Sequence, residues 1–203
     1  MIEIHHLKES RSRRITWMLE ELGQEYHVVS YDRDATTRLA PPELKKIHPL
    51  GKAPVLKDKD LVLIESGAIL EYLIAEYGQG QFIPARGTAD YYRYLQFMHY
   101  AEGSAMLPLL LRLYVGRLGE AGAPLHPRIN GEIANHLGYL NAELNGRDYF
   151  VGNGLTGADV QLSFVIQAGV RNIGRDTFPN LTRFTDMIEA RPAYQRAVQR
   201  SGE

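Results

Sequence analysis

Cysteine is absent from all 203 residues. Its absence excludes disulfides, cysteine-ligated metal sites and any cysteine nucleophile. A surplus of either charge is missing too. Lysine and arginine number 23 against 24 aspartates and glutamates, so the balance gives no reason to expect nucleic acid or another polyanion as partner. No apolar run approaches the length needed to span a bilayer, and the opening "MIEIHHLKES" lacks the long apolar core of a secretory signal. The expectation is a soluble, cytoplasmic protein. What is present suits a globular chain: 44% apolar and 23% charged residues, with enough length to bury a core in one large or two small domains.

The first part of the chain alternates between two periodicities. "IEIHH" reads as a short strand. Ile15, Met18, Leu19 and Leu22 then recur at i, i+3, i+4 and i+7, one face of a helix, with Gly23 as its stop. "YHVVSY" (26–31) is rich in β-branched and aromatic residues and predicts a second strand. "PPELKKI" (41–47) predicts a short helix opened by proline, and "APVL" and "LVLI", parted by the polar "KDKD", predict a hairpin. In "ESGAILEYLIAEYG", Ile69, Leu70, Leu73, Ile74 and Tyr77 mark the buried side of another helix.

The order is therefore β-α-β-α-β-β-α, ending near Gly78. "GQGQFIPARGT" (78–88) reads as a linker, and from Ala89 onward the patterns are helical with almost no strand signal. "ADYYRYLQFMHYAEGSAMLPLLLRLYVGRL" reads as one long helix bent at Pro108, because an interior proline loses a backbone bond and clashes with the preceding turn. Helices are also expected in "PRINGEIANHLGYLNAEL", "ADVQLSFVIQAGVRN", "NLTRFTDMIEAR" and "PAYQRAVQR". The expected organisation is an α/β domain over 1–78, a linker over 79–88 and an all-helical bundle domain over 89–203.

Pro54 stands at the mouth of the third strand, where it has no N–H to give to a ladder. A β-α-β-α-β-β-α order with a proline just before the third strand resembles the thioredoxin fold, in which that proline is cis. The resemblance implies that the backbone N–H and C=O of Ala53 are open to pair with a peptide-like ligand as a strand would. Taken with the helical second part, the chain resembles the cytosolic glutathione transferases over essentially its whole length. The stretches that carry this are "SRSRRITWMLEELG" (10–23), "HPLGKAPVL" (48–56), "ESGAILEYL" (65–73), "GLTGADV" (154–160) and "FPNLTRF…ARPAY" (178–194). It looks most like a bacterial or fungal branch whose first helix reads "SR…R…W.LEEL".

The resemblance implies glutathione as co-substrate and no metal. "ESGAIL" places Glu65 and Ser66 at a helix N-terminus, where open N–H groups and the positive end of the dipole favour a carboxylate. Ser66 is expected to hold the γ-glutamyl carboxylate and Glu65 to face its amine; alternatively either residue merely caps the helix. Lys52 is a candidate for the glycyl carboxylate, or else a solvated loop lysine. The family activates the thiol with a tyrosine, serine or cysteine just after the first strand. Cysteine is absent and no tyrosine lies there, which leaves Ser10 and Ser12. In serine-type members the catalytic hydroxyl lies four residues before an arginine, as Ser10 does before Arg14; Ser12 reads better as an N-cap. Arg11, Arg13 and Arg14 either add positive potential or are simply solvated.

By the same resemblance an electrophile pocket is expected between the domains, with Tyr100, Met106, Leu107 and Tyr114 as candidate lining, although such a stripe is also what a core helix shows. "YAEGS" resembles a stretch that approaches the ligand from a dimer partner, making Glu102 and Ser104 candidate cross-subunit contacts. The adjacent His5 and His6 point to opposite faces of a strand and are a poor chelating pair. Thr156 and Asp159 read as a structural capping box, with Leu155 and Val160 placed as its staple. The expected function is a homodimeric glutathione S-transferase acting on a small apolar electrophile or a hydroperoxide, with no nucleic-acid or membrane partner. The alternative is a non-catalytic binding or interaction module on the same fold.

Overall fold

The computed structural model describes residues 1–202. The chain forms two compact units, residues 1–82 together with 189–203, and residues 83–188.

The first unit follows the predicted order: β1 (Ile2–Leu7), α1 (Ser12–Glu21), β2 (Tyr26–Tyr31), α2 (Leu44–Ile47), β3 (Val55–Asp58), β4 (Leu61–Leu63) and α3 (Ser66–Tyr77). The sheet order is β2-β1-β3-β4. β1 pairs parallel with β2 from Ile2↔Tyr26 to Leu7↔Tyr31, and antiparallel with β3, where His5 faces Val55. The parallel pair requires a crossover, and α1 supplies it. Ile2, Ile4, Val55 and Leu56 from the sheet, Ile15, Met18 and Leu19 from α1, and Ile69, Leu70, Leu73 and Ile74 from α3 are buried. α1 stops where predicted: Gly23 has φ +64°, its N–H donates to Glu20 O at 3.3 Å, and the Gln24 N–H donates to Leu19 O at 3.0 Å. This paired closure relies on a left-handed residue, which glycine adopts without a Cβ penalty.

The C-terminal helix α9 (Pro192–Ser201) departs from expectation. The sequence pattern assigned it to the helical domain, whereas the structure groups it with the sheet. The reason lies at the end of α1. Glu20 and Glu21 are nearly buried there, next to carbonyls at the negative end of the helix dipole, an unfavourable place for two carboxylates. The segment around α9 answers both. Arg191 grips Glu21 with two bonds of 2.6 and 2.9 Å, and Glu21 also accepts the Trp17 indole N–H at 2.8 Å. Glu20 is met by Arg196 at 2.6 Å, by Arg200 at 3.1 Å and by the Tyr26 hydroxyl at 2.8 Å. Tyr194 packs edge-on against Trp17, with ring centroids 5.2 Å apart.

The second unit contains α4 (Ala89–Tyr100), a π-helical turn (Ala101–Ala105), α5 (Met106–Gly116), a 3₁₀ segment (Gly119–Leu125), α6 (His126–Glu143), α7 (Gly157–Ile173) and nearly all of α8 (Pro179–Glu189). The expected single helix bent at Pro108 is thus two α-helices joined by a π turn. The Met106 N–H reaches back five residues to Ala101 O, widening the turn just before the proline. Pro108 then falls in the first turn of α5, where a missing N–H does least harm. Phe97, Phe150 and Phe184 meet edge to face at 5.2 and 5.4 Å in the core. At Gly169 on α7 a Cβ would lie 2.7 Å from Leu137 Cδ2, so any larger residue there would have to displace that side chain of α6. The capping box forms: fully buried Asp159 accepts the Thr156 N–H and hydroxyl, each at 2.8 Å, and the Phe150 N–H at 2.9 Å. Burial pushes its carboxyl up to about 6, against those donors.

Replacing Glu21 by Ala removes the acceptor shared by Trp17 and Arg191. The unfolding free energy from urea titration is expected to fall by about 2–4 kcal/mol; an unchanged midpoint would show that α9 is held by apolar packing alone.

Candidate functional site

Ser10 and Ser12 lie where the chain leaves β1 and enters α1. Their hydroxyl oxygens are 2.7 Å apart. The Ser12 N–H donates to Ser10 Oγ at 3.2 Å, and the Leu7 N–H donates to Ser12 Oγ at 3.3 Å. Ser12 is the first helical residue, not the one before it, so the predicted N-cap role does not fall to its side chain. The Ser10 hydroxyl instead accepts one of the N–H groups left open at the start of α1.

Two residues further into α1, Arg14 is 1% exposed. Of the three arginines this one is not solvated: its Nη1 donates to Ser66 Oγ at 3.1 Å. Arg13 turns the other way and donates to the Tyr194 hydroxyl at 3.3 Å. The Arg14–Ser66 bond ties the first turn of α1 to the first residue of α3. Two helix N-termini, each with open N–H groups and a positive dipole end, therefore meet around a buried guanidinium, an arrangement that favours anions. Sequence reasoning missed this contact. The one available signal was the spacing of Arg14 from Ser10, which says nothing of Ser66.

Glu65 precedes α3 with φ +68° and ψ +113°. For a residue with a Cβ this lies outside the populated regions, and such strain clusters where a side chain or backbone is held for a ligand. The Glu65 carbonyl accepts the Ile69 N–H at 2.9 Å, but its carboxylate makes no capping bond and is exposed. The capping alternative therefore accounts for neither residue: Glu65 occupies the cap position without capping, and the Ser66 hydroxyl is engaged by Arg14.

The Ala53–Pro54 peptide bond is cis. Pro54 is buried, Ala53 half-buried and Lys52 exposed. β3 starts at the next residue, and since His5 faces Val55, Pro54 lies beside the C-terminal end of β1, from which the serine loop emerges.

In the second unit, Tyr100 contacts His136, hydroxyl to Nδ1, at 2.6 Å. Burial pushes its phenol up to about 12, so it is a neutral hydroxyl at physiological pH. Glu102 and Ser104 are half-buried within the π turn. Met106 is buried on the core side of α5. Leu107 and Tyr114 lie on the opposite side, exposed, and with Leu111 and Leu118 they form an apolar stripe at i, i+4, i+7 and i+11.

A family model described as the glutathione S-transferase N-terminal domain matches residues 4–75, and one described as the glutathione S-transferase C-terminal domain matches residues 98–192. Among curated proteins, glutathione S-transferase 3 of Schizosaccharomyces pombe is 35% identical, over 98% of this chain and 88% of its own. The crystal structure of a glutathione S-transferase from Actinobacillus pleuropneumoniae is 39% identical, with a TM-score of 0.93, covering 100% of this chain and 93% of the other. A glutathione transferase family member from Pseudomonas fluorescens, solved with two glutathione bound, is 28% identical with a TM-score of 0.82, covering 97% and 92%. The chain belongs to the glutathione S-transferase family.

Proposed function

We propose that the protein is a cytoplasmic, homodimeric glutathione transferase in which Ser10 activates the thiol. The observation that carries this reading is the pair at the start of α3: a strained, exposed Glu65 next to a Ser66 fixed by a buried arginine. A non-catalytic scaffold has no need of either. The γ-glutamyl carboxylate rests at the N-terminus of α3 on Ser66, and its amine faces Glu65. The backbone of Ala53, turned by Pro54, pairs with the peptide as an added strand, and Lys52 receives the glycyl carboxylate.

A free thiol has a pKa near 8.5 and is only a few per cent ionised at neutral pH. Lowering it by about two units makes the thiolate the main species, at roughly 1.4 kcal/mol per unit. The Ser10 hydroxyl donating to the sulfur, the dipole of α1 and the nearby Arg14 all stabilise the charged form more than the neutral one. The thiolate lone pair then forms a bond to an electrophilic carbon while the leaving group departs with its electrons. With a hydroperoxide it instead attacks the terminal oxygen and releases an alcohol; the resulting sulfenic acid condenses with a second glutathione, giving the disulfide and water. The exposed stripe of Leu107 and Tyr114 offers an apolar substrate its surface, with Tyr100 and Met106 beside the π turn, and Glu102 and Ser104 reach the ligand of a partner subunit.

An ultraviolet difference titration of the protein with glutathione is expected to show thiolate at neutral pH. In Ser10→Ala the apparent thiol pKa should rise by about one to two units, with turnover at neutral pH lower by about the same powers of ten. An unchanged pKa would remove Ser10 from the mechanism. Separately, Leu107→Ala and Tyr114→Ala should each raise KM for an apolar aryl halide about three- to tenfold while leaving that for glutathione unaltered; equal changes in both would place the stripe outside the substrate site.

A further inference from the structure

We propose that Ser12 is a positioning residue that fixes the hydroxyl of Ser10 as a hydrogen-bond donor toward the sulfur of glutathione. The inference rests on the reading that Ser10 is the activating group, and adds how that group is oriented.

A serine hydroxyl has one hydrogen to give and two lone pairs to receive with. Each of these two serines already accepts one backbone N–H: Ser12 from Leu7 at 3.3 Å, Ser10 from Ser12 at 3.2 Å. The 2.7 Å contact between their oxygens can run in either direction. If Ser10 donates to Ser12, the Ser12 hydrogen is left over, and Ser12 is 0% exposed. A buried donor with no acceptor is costly. If Ser12 donates to Ser10, every group is used. The leftover hydrogen is then that of Ser10, which keeps 7% exposure against none for Ser12 and is the group that the proposed function turns toward the sulfur.

Burial thus selects the direction. In that direction Ser10 has both lone pairs filled, by the N–H and the O–H of Ser12, and its only remaining capacity is to donate. It can no longer present an oxygen lone pair to a thiolate, which would repel it. Accepting two hydrogen bonds also polarises its own O–H, strengthening the bond it gives. The same residue supplies both bonds, so the orientation of Ser10 follows from a single position at the first turn of α1.

The test is a thiolate titration of the glutathione complex for the wild type, Ser10→Ala, Ser12→Ala and Ser12→Thr, with steady-state kinetics over pH. Ser12→Ala is expected to raise the apparent thiol pKa by roughly half to one unit. At neutral pH kcat should fall about three- to tenfold and recover as pH rises through the new pKa, with KM for glutathione unchanged. Ser12→Thr, which keeps the hydroxyl, should restore the wild-type pKa. If Ser12→Ala does not fold by circular dichroism, Ser12→Val takes its place, compared with the near-isosteric threonine. A raised pKa in Ser10→Ala with a wild-type value in the Ser12 variant lacking the hydroxyl overturns the role of Ser12 alone. Wild-type values in both variants overturn the role of Ser10 as well. A loss of kcat in Ser12→Ala that does not recover at high pH also overturns the proposal, since it would mean a displaced loop and not a missing donor.

Discussion

A hydrogen bond of 3.1 Å between Arg14 and Ser66 holds the N-terminal ends of α1 and α3 together. Two helix N-termini would not choose to meet unaided, because like ends of their dipoles repel. The arginine makes this worse by adding a full positive charge in a place almost without water. The positive ends of two helices and a buried guanidinium thus gather at one place. On the proposed reading, glutathione brings its carboxylates and ionisable thiol to this place. On that reading, affinity for the anion and the lowering of a thiol pKa have one origin.

The opposite end of α1 shows the same logic with the signs reversed. Glu20 and Glu21 crowd its negative end and are answered by Arg191, Arg196 and Arg200 from the C-terminal segment. α1 is therefore held at both ends, through Ser66 at the first turn and through the arginines at the last. A helix anchored in this way keeps the serine loop in place without needing a rigid loop.

Much of the fold was legible in the sequence, since period-2 and period-3.6 patterns report on local geometry. The order of elements along the chain to Gly78, the stop at Gly23 and the capping box at Asp159 all depend on nearby residues and could be read directly. The assignment of residues 192–201 could not. α9 carries the apolar face of any amphipathic helix, and nothing local says that the arginines in and just before it match two glutamates 170 or more positions earlier. The π turn at 101–105 was hidden for a related reason: Pro108 announced a disturbance, but not that the backbone would widen ahead of it. In the site, residue types and order pointed to Ser10, Glu65 and Ser66. The strained backbone of Glu65 and the burial of Arg14 belong to tertiary packing and leave no mark on spacing.

The attachment of α9 to the first unit makes that unit discontinuous in the chain, with the whole helical unit inserted between its two parts. Synthesis proceeds from the N-terminus. The ribosome therefore releases the sheet and α1 with both glutamates still lacking their arginines, and produces the entire second unit before those arginines exist. The first unit is begun before the second and completed after it. The α1 surface against which α9 packs is covered only once α9 has been made.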